Sequence, residues 1–388
     1  MKYDFLNPPC RKGTSCYKWD LFEGDMPMWV ADMDFQTAPE VIEALKKRVE
    51  HGIYGYAITP PSWAKAYQDF YHDIYHWDFP TEAVVFSLGV VPILSSSVRA
   101  LTKVGDNVVI MPPVYNIFYN SIRNNGRNIY EVPLKENGDR YDFDYEGLEK
   151  AFALESTSLC ILCNPGNPTA RIWEKEELLA LGKLAKKYNV IILSDEIHGP
   201  LTRPGKLYVP FLSVDPSFEE FSFAALSPTK AFNLAGIHTA ALIAPKQELR
   251  AKVERQLNTD EVAEPNVFSC IASTTALNQG RQWLEELREV LFTNRDIATK
   301  YINENIPLLR AYPGDATYLL WVDCGLLEQD SKKLLDYLSK EDGLIFNDGN
   351  SYGQGGEHHF RINLACPTAQ LEKALKRLHE AVNKYGQI

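Results

Sequence analysis

No stretch of this 388-residue chain approaches the ~20 consecutive apolar residues that a membrane-spanning helix needs. The opening residues, Met1-Lys2-Tyr3-Asp4, do not lead into the apolar core of a secretory signal. Positive charge is in short supply as well. Forty Lys and Arg face 51 Asp and Glu, and a net charge of -11 argues against nucleic acid or an acidic membrane surface as the main partner. A cytoplasmic protein is the expectation. The seven cysteines are odd in number and follow no framework spacing. Cys160 and Cys163 form a C-x-x-C, but inside an apolar run and without a second pair, so reduced, buried thiols are expected. Of the eight histidines only His72 and His76 stand at H-x-x-x-H spacing, and no metal is expected. Internal repeats, low-complexity segments and long linkers are also missing.

What remains is an ordinary composition, 45% hydrophobic and 23% charged, long enough for about two domains. Residues 1–36 are polar and irregular with several aromatics, and read as an arm. Thr37-Ala38-Pro39-Glu40 reads as a capped helix start, followed by an apolar face at Val41, Ile42, Leu45 and Val49 and a stop at Gly52. A second helical pattern opens at Ser62. From about residue 84, β-rich runs alternate with helical patterns. The runs are Val84–Ser87, Asn107–Met111, Asn128–Pro133, Leu159–Cys163, Val190–Leu193, Phe221–Leu226 and Thr239–Ala244. Repeated βα units predict an α/β fold, with a mainly parallel sheet covered by helices and ligands held at the carboxyl ends of its strands. After about residue 247 the chain turns helical. It returns to strands at Thr317–Val322 and His359–Ala365 and ends in a helix over Gln370–Asn383. The expected division is an arm with part of a small domain over 1–48, a large domain over 49–280 and a small α+β domain over 281–388.

Several polar signals sit where these strands finish. In Ala224–Gly236 a buried strand stops at Ser-Pro, offers the hydroxyls of Ser227 and Thr229, and reaches Lys230. A lysine at the mouth of a buried strand loses hydration, so its neutral amine is favoured and it becomes a nucleophile; on its own a surface lysine in a turn is the plainer reading. Ser87-Leu88-Gly89-Val90-Val91 runs from strand through glycine into a helix, whose free N–H groups make an anion cradle. Tyr115, after Pro112-Pro113-Val114, either stacks on a planar ligand or packs in the core. Cys163-Asn164-Pro165-Gly166-Asn167-Pro168-Thr169 makes a fixed, extended turn, compatible with a cis peptide, that holds Asn167 as a donor toward the crevice. Asp195 and Glu196 end an apolar strand, where each carboxylate needs a partner; a helix cap or an ion pair is the plainer reading of Asp195. Together these supply an amine nucleophile, a phosphate cradle, a stacking aromatic, a donor for a ring hydroxyl and an acid for a pyridinium, the needs of pyridoxal phosphate.

In that order these residues resemble the fold-type I, aspartate-aminotransferase-like enzymes. Closer signatures resemble the MalY/PatB-type C–S lyases, the cystathionine β-lyase and cystalysin kind. They include Arg11-Lys12-Gly13-Thr14, Lys18-Trp19-Asp20, Met28-Trp29-Val30-Ala31-Asp32-Met33-Asp34-Phe35, Tyr54-Gly55-Tyr56 and Gly89-Val90-Val91-Pro92. Later in the chain come Ser194-Asp195-Glu196-Ile197-His198, Lys230-Ala231-Phe232-Asn233-Leu234-Ala235-Gly236 and Arg361-Ile362-Asn363-Leu364-Ala365-Cys366-Pro367. The resemblance spans essentially the whole chain.

It implies that Lys230 links covalently to the cofactor, Asp195 pairs with the ring nitrogen, Tyr115 stacks, Asn167 bonds the 3-hydroxyl and Ile197 covers the opposite face. Gly89, Val90, Val91, Ser227 and Thr229 would hold the phosphate, His198 would join the cofactor contacts, and Tyr56 would reach in from the second subunit of a homodimer. Arg361 would clamp the substrate carboxylate beside Val30 and Ala31. The implied reaction is α,β-elimination from an S-substituted L-cysteine. The alternatives are an aminotransferase on the same cofactor and a regulatory, protein-binding role on the same fold. Gly166, Ala170 and Gly199-Pro200 depart from the usual pattern. His238 stands where many aminotransferases carry a phosphate-binding arginine.

Overall fold

A computed structural model describes residues 2–387. Its centre is one seven-stranded sheet. The strands are β1 (Val84–Ser87), β2 (Asn107–Ile110), β3 (Asn128–Glu131), β4 (Thr157–Cys163), β5 (Ile191–Asp195), β6 (Ser222–Leu226) and β7 (Ala240–Ile243). Their spatial order is β1-β7-β6-β5-β4-β2-β3. Neighbours run parallel except at β7, which is antiparallel to both β1 and β6. Strands covered on both faces by helices need apolar residues throughout, and β6 and β7 are buried at every position.

The helices follow from the same sequence signals. Helix α1 (Pro39–His51) starts on Pro39 and ends at Gly52 in the left-handed conformation, φ 75°. Thr37 does not cap it. Ala38 occupies the cap position and the Thr37 hydroxyl has no partner, while Pro39 brings no N–H that needs one. Helix α2 (Pro61–Tyr75) begins at Pro61, one residue before the expected Ser62. Helices α3 (Val90–Leu101), α4 (Ile117–Arg123), α5 (Tyr145–Phe152) and α6 (Lys175–Lys187) make the crossovers between parallel strands.

The C-terminal part carries a second, antiparallel sheet, made of β8 (Arg310–Ala311), β9 (Leu319–Asp323), β10 (Asn347–Asp348) and β11 (His359–Asn363) in the order β8-β9-β11-β10. A long helix over Arg281–Asn305 runs between two cores. Trp283, Leu287 and Leu291 pack in the core of the large sheet; Ala298 and Ile302 pack with Leu320, Ile362 and Leu378.

The arm contributes to both cores. Phe5, Phe35 and Val41 enter the first, and Met26 and Met28 enter the second. It is also less irregular than its sequence suggests. Tyr17–Asp20 form a helical turn, and Met26–Pro27 pair in parallel with Leu344–Ile345. That pairing partner lies more than 300 residues away, beyond the reach of local pattern.

Candidate active site

Lys230 and Asp195 come from adjacent parallel strands. Asp195 ends β5 opposite Ala225 of β6, and the chain turns from Leu226 through Ser227-Pro228-Thr229 to Lys230. Both line a cavity of about 330 Å³ together with Gly89, Val90, Val91, Tyr115, Asn167, Ile197, His198, Thr229 and Ala31. Most of the residues nominated from sequence therefore meet at one place, although they span about 200 positions of the chain.

Four residues stand outside the cavity wall: Val30, Arg361, Ser227 and Tyr56. Ser227 lies behind Thr229, its Oγ donating to the Thr239 carbonyl at 2.7 Å and accepting from the Thr229 N–H at 3.1 Å. Tyr56 is wholly exposed on the single chain. The cavity also has walls that sequence reading did not nominate, among them Leu88, Cys163 and Thr239. The signal for Thr239 was faint, a polar residue at the head of an apolar run.

Burial sets the electrostatics. It pushes the Lys230 ammonium down to about 8, helped by the positive charge of Arg361 and opposed by Asp32 and Asp195. The same burial pushes the Asp195 carboxyl up to about 7, against the Ile197 N–H at 3.2 Å and the charge of Lys230. His198 is driven down to about 3 by burial and by the cations Lys230 and Arg361, so its imidazole is neutral, and its Nδ1 has no hydrogen-bond partner. Burial raises the Tyr115 hydroxyl to about 12. Glu196, the neighbouring acid, turns into the core instead. There it accepts from Ser194 Oγ at 2.8 Å, Tyr208 Oη at 3.0 Å and the Phe211 N–H at 2.8 Å.

Helix α3 points its N-terminus at the cavity. Gly89 is its cap residue, no side chain caps it and no acid sits in its first turn. An uncapped helix start with free N–H groups is a site for an anion such as phosphate.

Arg361, on β11, is 2% exposed. Its Nη1 donates to Asn167 Oδ1 at 3.1 Å and its Nη2 to the Trp29 carbonyl at 2.9 Å, while Nε has no partner. The guanidinium also lies 5.3 Å from the centre of the Tyr352 ring. Every partner is neutral. A buried guanidinium satisfied only by neutral acceptors is a receptor for a carboxylate. Beside it, the Ala31 carbonyl accepts from Lys230 Nζ and, at 2.9 Å, from Tyr318 Oη. Asn363 Nδ2 holds the carbonyls of Val30 at 2.5 Å and Asp32 at 2.6 Å.

Two of the departures from pattern, Gly166 and Gly199, have local steric causes. A Cβ on Gly166 would meet Thr169 Oγ1 at 2.4 Å, and one on Gly199 would meet the Tyr208 ring at 2.5 Å. Ala170 takes φ 55°, the left-handed region that glycine enters freely, and its N–H closes the turn onto the Gly166 carbonyl at 3.0 Å. His238 lines the rim of the cavity. Among the described residues, donor atoms of Asp323, His358 and His359 lie within 4.8 Å of one another. None of the three lines the cavity, and Asp323 Oδ1 already accepts the Gly325 N–H at 2.7 Å.

The model of the family described as aminotransferase class I and II matches residues 24–378. The chain belongs to that family. Within it, the chain is 37% identical to cystathionine beta-lyase PatB of Bacillus subtilis (strain 168), over 96% of this chain and 98% of that protein. It is 30% identical to the protein MalY of Escherichia coli (strain K12), over 98% and 99% of the two chains. The solved structure of cystalysin from Treponema denticola, which contains a pyridoxal 5'-phosphate cofactor, superposes with a TM-score of 0.96 at 31% identity, covering 99% of this chain and 100% of that one. The fold is therefore the aspartate-aminotransferase-like one that the alternating strands and helices implied.

Proposed function

We propose that the protein is a pyridoxal 5'-phosphate-dependent C–S lyase that eliminates a thiol from S-substituted L-cysteines of the cystathionine kind, leaving pyruvate and ammonia. The observation that carries this reading is one cavity lined by an amine with a lowered pKa, Lys230, and a buried acid, Asp195, with the guanidinium of Arg361, which has no carboxylate partner, bonded to the wall residue Asn167. Kinship with PatB, a cystathionine beta-lyase by name, supports elimination over amino transfer.

The residues present fit the cofactor. Lys230 Nζ is the nucleophile for its aldehyde carbon, the start of α3 and Thr229 suit its phosphate, and Tyr115 and Ile197 flank a space for its ring. The orphaned Nδ1 of buried His198 offers a further polar contact. Asp195, in the family's position for the ring nitrogen, gains there the cation that a buried carboxylate needs. When bound, pyridoxal phosphate supplies an electron sink for the charge left at the substrate Cα.

The chain's own residues do the rest. Arg361 binds the α-carboxylate and so aims the Cα–H bond at Lys230. Lys230, whose ammonium is destabilised by burial, takes that proton at Nζ and acts as general base near neutral pH. Asp195 keeps a proton on the ring nitrogen. We propose further that the protein is a homodimer in which the exposed Tyr56 completes the site of a second copy. The seven unpaired cysteines support a reducing, cytoplasmic location.

Purified protein given L-cystathionine without any keto-acid acceptor should release pyruvate, and Lys230→Ala should release none and lose the visible absorbance of bound cofactor. Turnover that depends on added 2-oxoglutarate would instead make the protein an aminotransferase.

A further inference from the structure

Residues 29–34 of the arm reach the site mainly through their main chain. The Trp29 carbonyl accepts from Arg361, the Ala31 carbonyl from Lys230 and Tyr318, and the carbonyls of Val30 and Asp32 from Asn363. This segment lies outside any strand, so no sheet ladder fixes the direction of those carbonyls.

Asn233 holds the Met33 N–H and carbonyl and the Ala365 carbonyl holds the Asp34 N–H, and a second set of bonds lies on the far side of the segment. Arg11 Nη1 donates to Asp32 Oδ1 at 3.1 Å, the Met33 carbonyl at 2.9 Å and Asp34 Oδ1 at 2.9 Å, while its Nη2 meets Asp32 Oδ2 at 2.5 Å. Lys18, 1% exposed, places Nζ 3.0 Å from Asp34 Oδ2 and 3.8 Å from Asp32 Oδ1. Trp19 Nε1 donates to Asp34 Oδ1 at 2.9 Å, and Trp29 Nε1 returns to the Lys18 carbonyl at 3.2 Å. Two cations and two anions thus close a ring around the back of the segment. Buried ion clusters of this kind contribute little net stability over apolar packing, because desolvation offsets attraction. What they supply is direction. Neither Arg11 nor Lys18 lines the cavity.

We propose that Arg11 and Lys18 are positioning residues of the elimination site, their ion cluster with Asp32 and Asp34 aiming the Trp29–Ala31 carbonyls at Arg361, Lys230 and Tyr318. This rests on the lyase reading for its substrate and on the geometry of the arm for its cause. A second consequence concerns charge. The charged and titratable groups that bear on Lys230 are Arg361 from β11, Asp195 at the end of β5, His198 just beyond it, and Asp32 from the arm. Arg11 partly neutralises Asp32, so without it the ammonium of Lys230 gains from an uncompensated carboxylate.

The test compares wild-type holoenzyme with Arg11→Gln and Arg11→Lys, Arg11 being chosen because it is one-quarter exposed whereas Lys18 is buried. Two quantities are measured, the kinetics on L-cystathionine and the pH midpoint of the bound cofactor's visible band. Arg11→Gln should retain cofactor, lose about 10- to 100-fold in kcat/KM, largely through KM, and titrate at higher pH than wild type. Arg11→Lys keeps the charge but not the fork, and should restore the midpoint more fully than the kcat/KM. Unchanged kinetics and an unchanged midpoint, with only a lower melting temperature, would make the cluster a fold clasp and overturn the proposal. If Arg11→Gln does not fold, Arg11→Lys carries the comparison alone, and wild-type kinetics in it would have the same force. If the wild type itself releases no pyruvate, the lyase reading has failed, while the midpoint of Arg11→Gln still decides the role of the cluster.

Discussion

Lys230 Nζ donates to the carbonyl oxygen of Ala31, a partner 199 positions earlier in the chain. The contact joins the end of a central strand to the N-terminal arm, and Arg361 on the second sheet bonds the wall residue Asn167 of the same cavity. A lysine held this way is partly buried and offers its amine to the cavity.

In the cofactor-free protein the amine of Lys230 should therefore react with acetic anhydride with a pH midpoint near 8, read by mass spectrometry. Ordinary lysines titrate near ~10.4. The sign follows from burial: the folded chain sheds this proton earlier than the unfolded chain. Between about pH 8 and the ordinary lysine range the unfolded state binds more protons, so this group's penalty on stability shrinks as pH rises through that window. A midpoint with the bulk lysines would remove the case for Lys230 as the base.

Arg361→Leu should leave cofactor binding intact and cut kcat/KM on L-cystathionine by about 2–4 kcal/mol, roughly 30- to 1000-fold, because a buried carboxylate loses its charged partner. Arg361→Lys should recover little, since a point charge cannot replace the fork that also holds Asn167 and Trp29. The visible spectrum and initial rates check both. An Arg361→Leu enzyme with near wild-type kcat/KM would show that substrate binds elsewhere.

Tyr56 offers a test of assembly. If it completes the site of a second copy, Tyr56→Phe and Lys230→Ala subunits should each have low activity when pure. Unfolded and refolded together in equal amounts, half of the dimers are mixed, and each mixed dimer holds one intact site. The expected recovery is about one quarter of wild type, from the two-fold symmetry of such an interface. Recovery no greater than the sum of the separate variants would place Tyr56 outside the site.

A stability prediction comes from Gly182 in α6. A Cβ there would fall 2.0 Å from the Phe218 ring. Alanine gains about 1 kcal/mol over glycine in helix propensity. Overpacking a full core costs about 1–3 kcal/mol, so Gly182→Ala should lower the melting temperature while leaving turnover on L-cystathionine near wild type. A raised melting temperature would mean that Phe218 can move aside freely.

Much of the site was legible before any coordinates. Lys230, Asp195, Asn167, Tyr115 and Gly89 each sit where a buried strand stops, and strand ends are visible as an apolar run meeting proline, glycine or charge. The turn geometry at Gly166, Ala170 and Gly199 was less so. Those residues read as departures from a pattern, whereas the structure ties Gly166 and Gly199 to a steric demand from Thr169 and Tyr208, and leaves Ala170 in a left-handed conformation that glycine enters more freely. The hairpin strands Lys135–Asn137 and Arg140–Asp142 and the helix over Ser331–Asp342 also went unread. The hairpin strands are only three residues long, too short to carry a period.

By itself, the sequence determined the α/β class, the order of the strands along the chain and the residue types that gather where strands end, because hydrophobic period and strand-ending residues are local properties. Only tertiary structure decided that Ser227 stands behind Thr229, that Glu196 turns inward while Asp195 faces the cavity, and that Arg361 meets neutral partners alone. It also decided the work of the arm. Lys18 and Asp34 are charges that a composition-based reading puts in water; they are buried because each supplies the other's missing solvation, and that pairing exists only once the chain has folded.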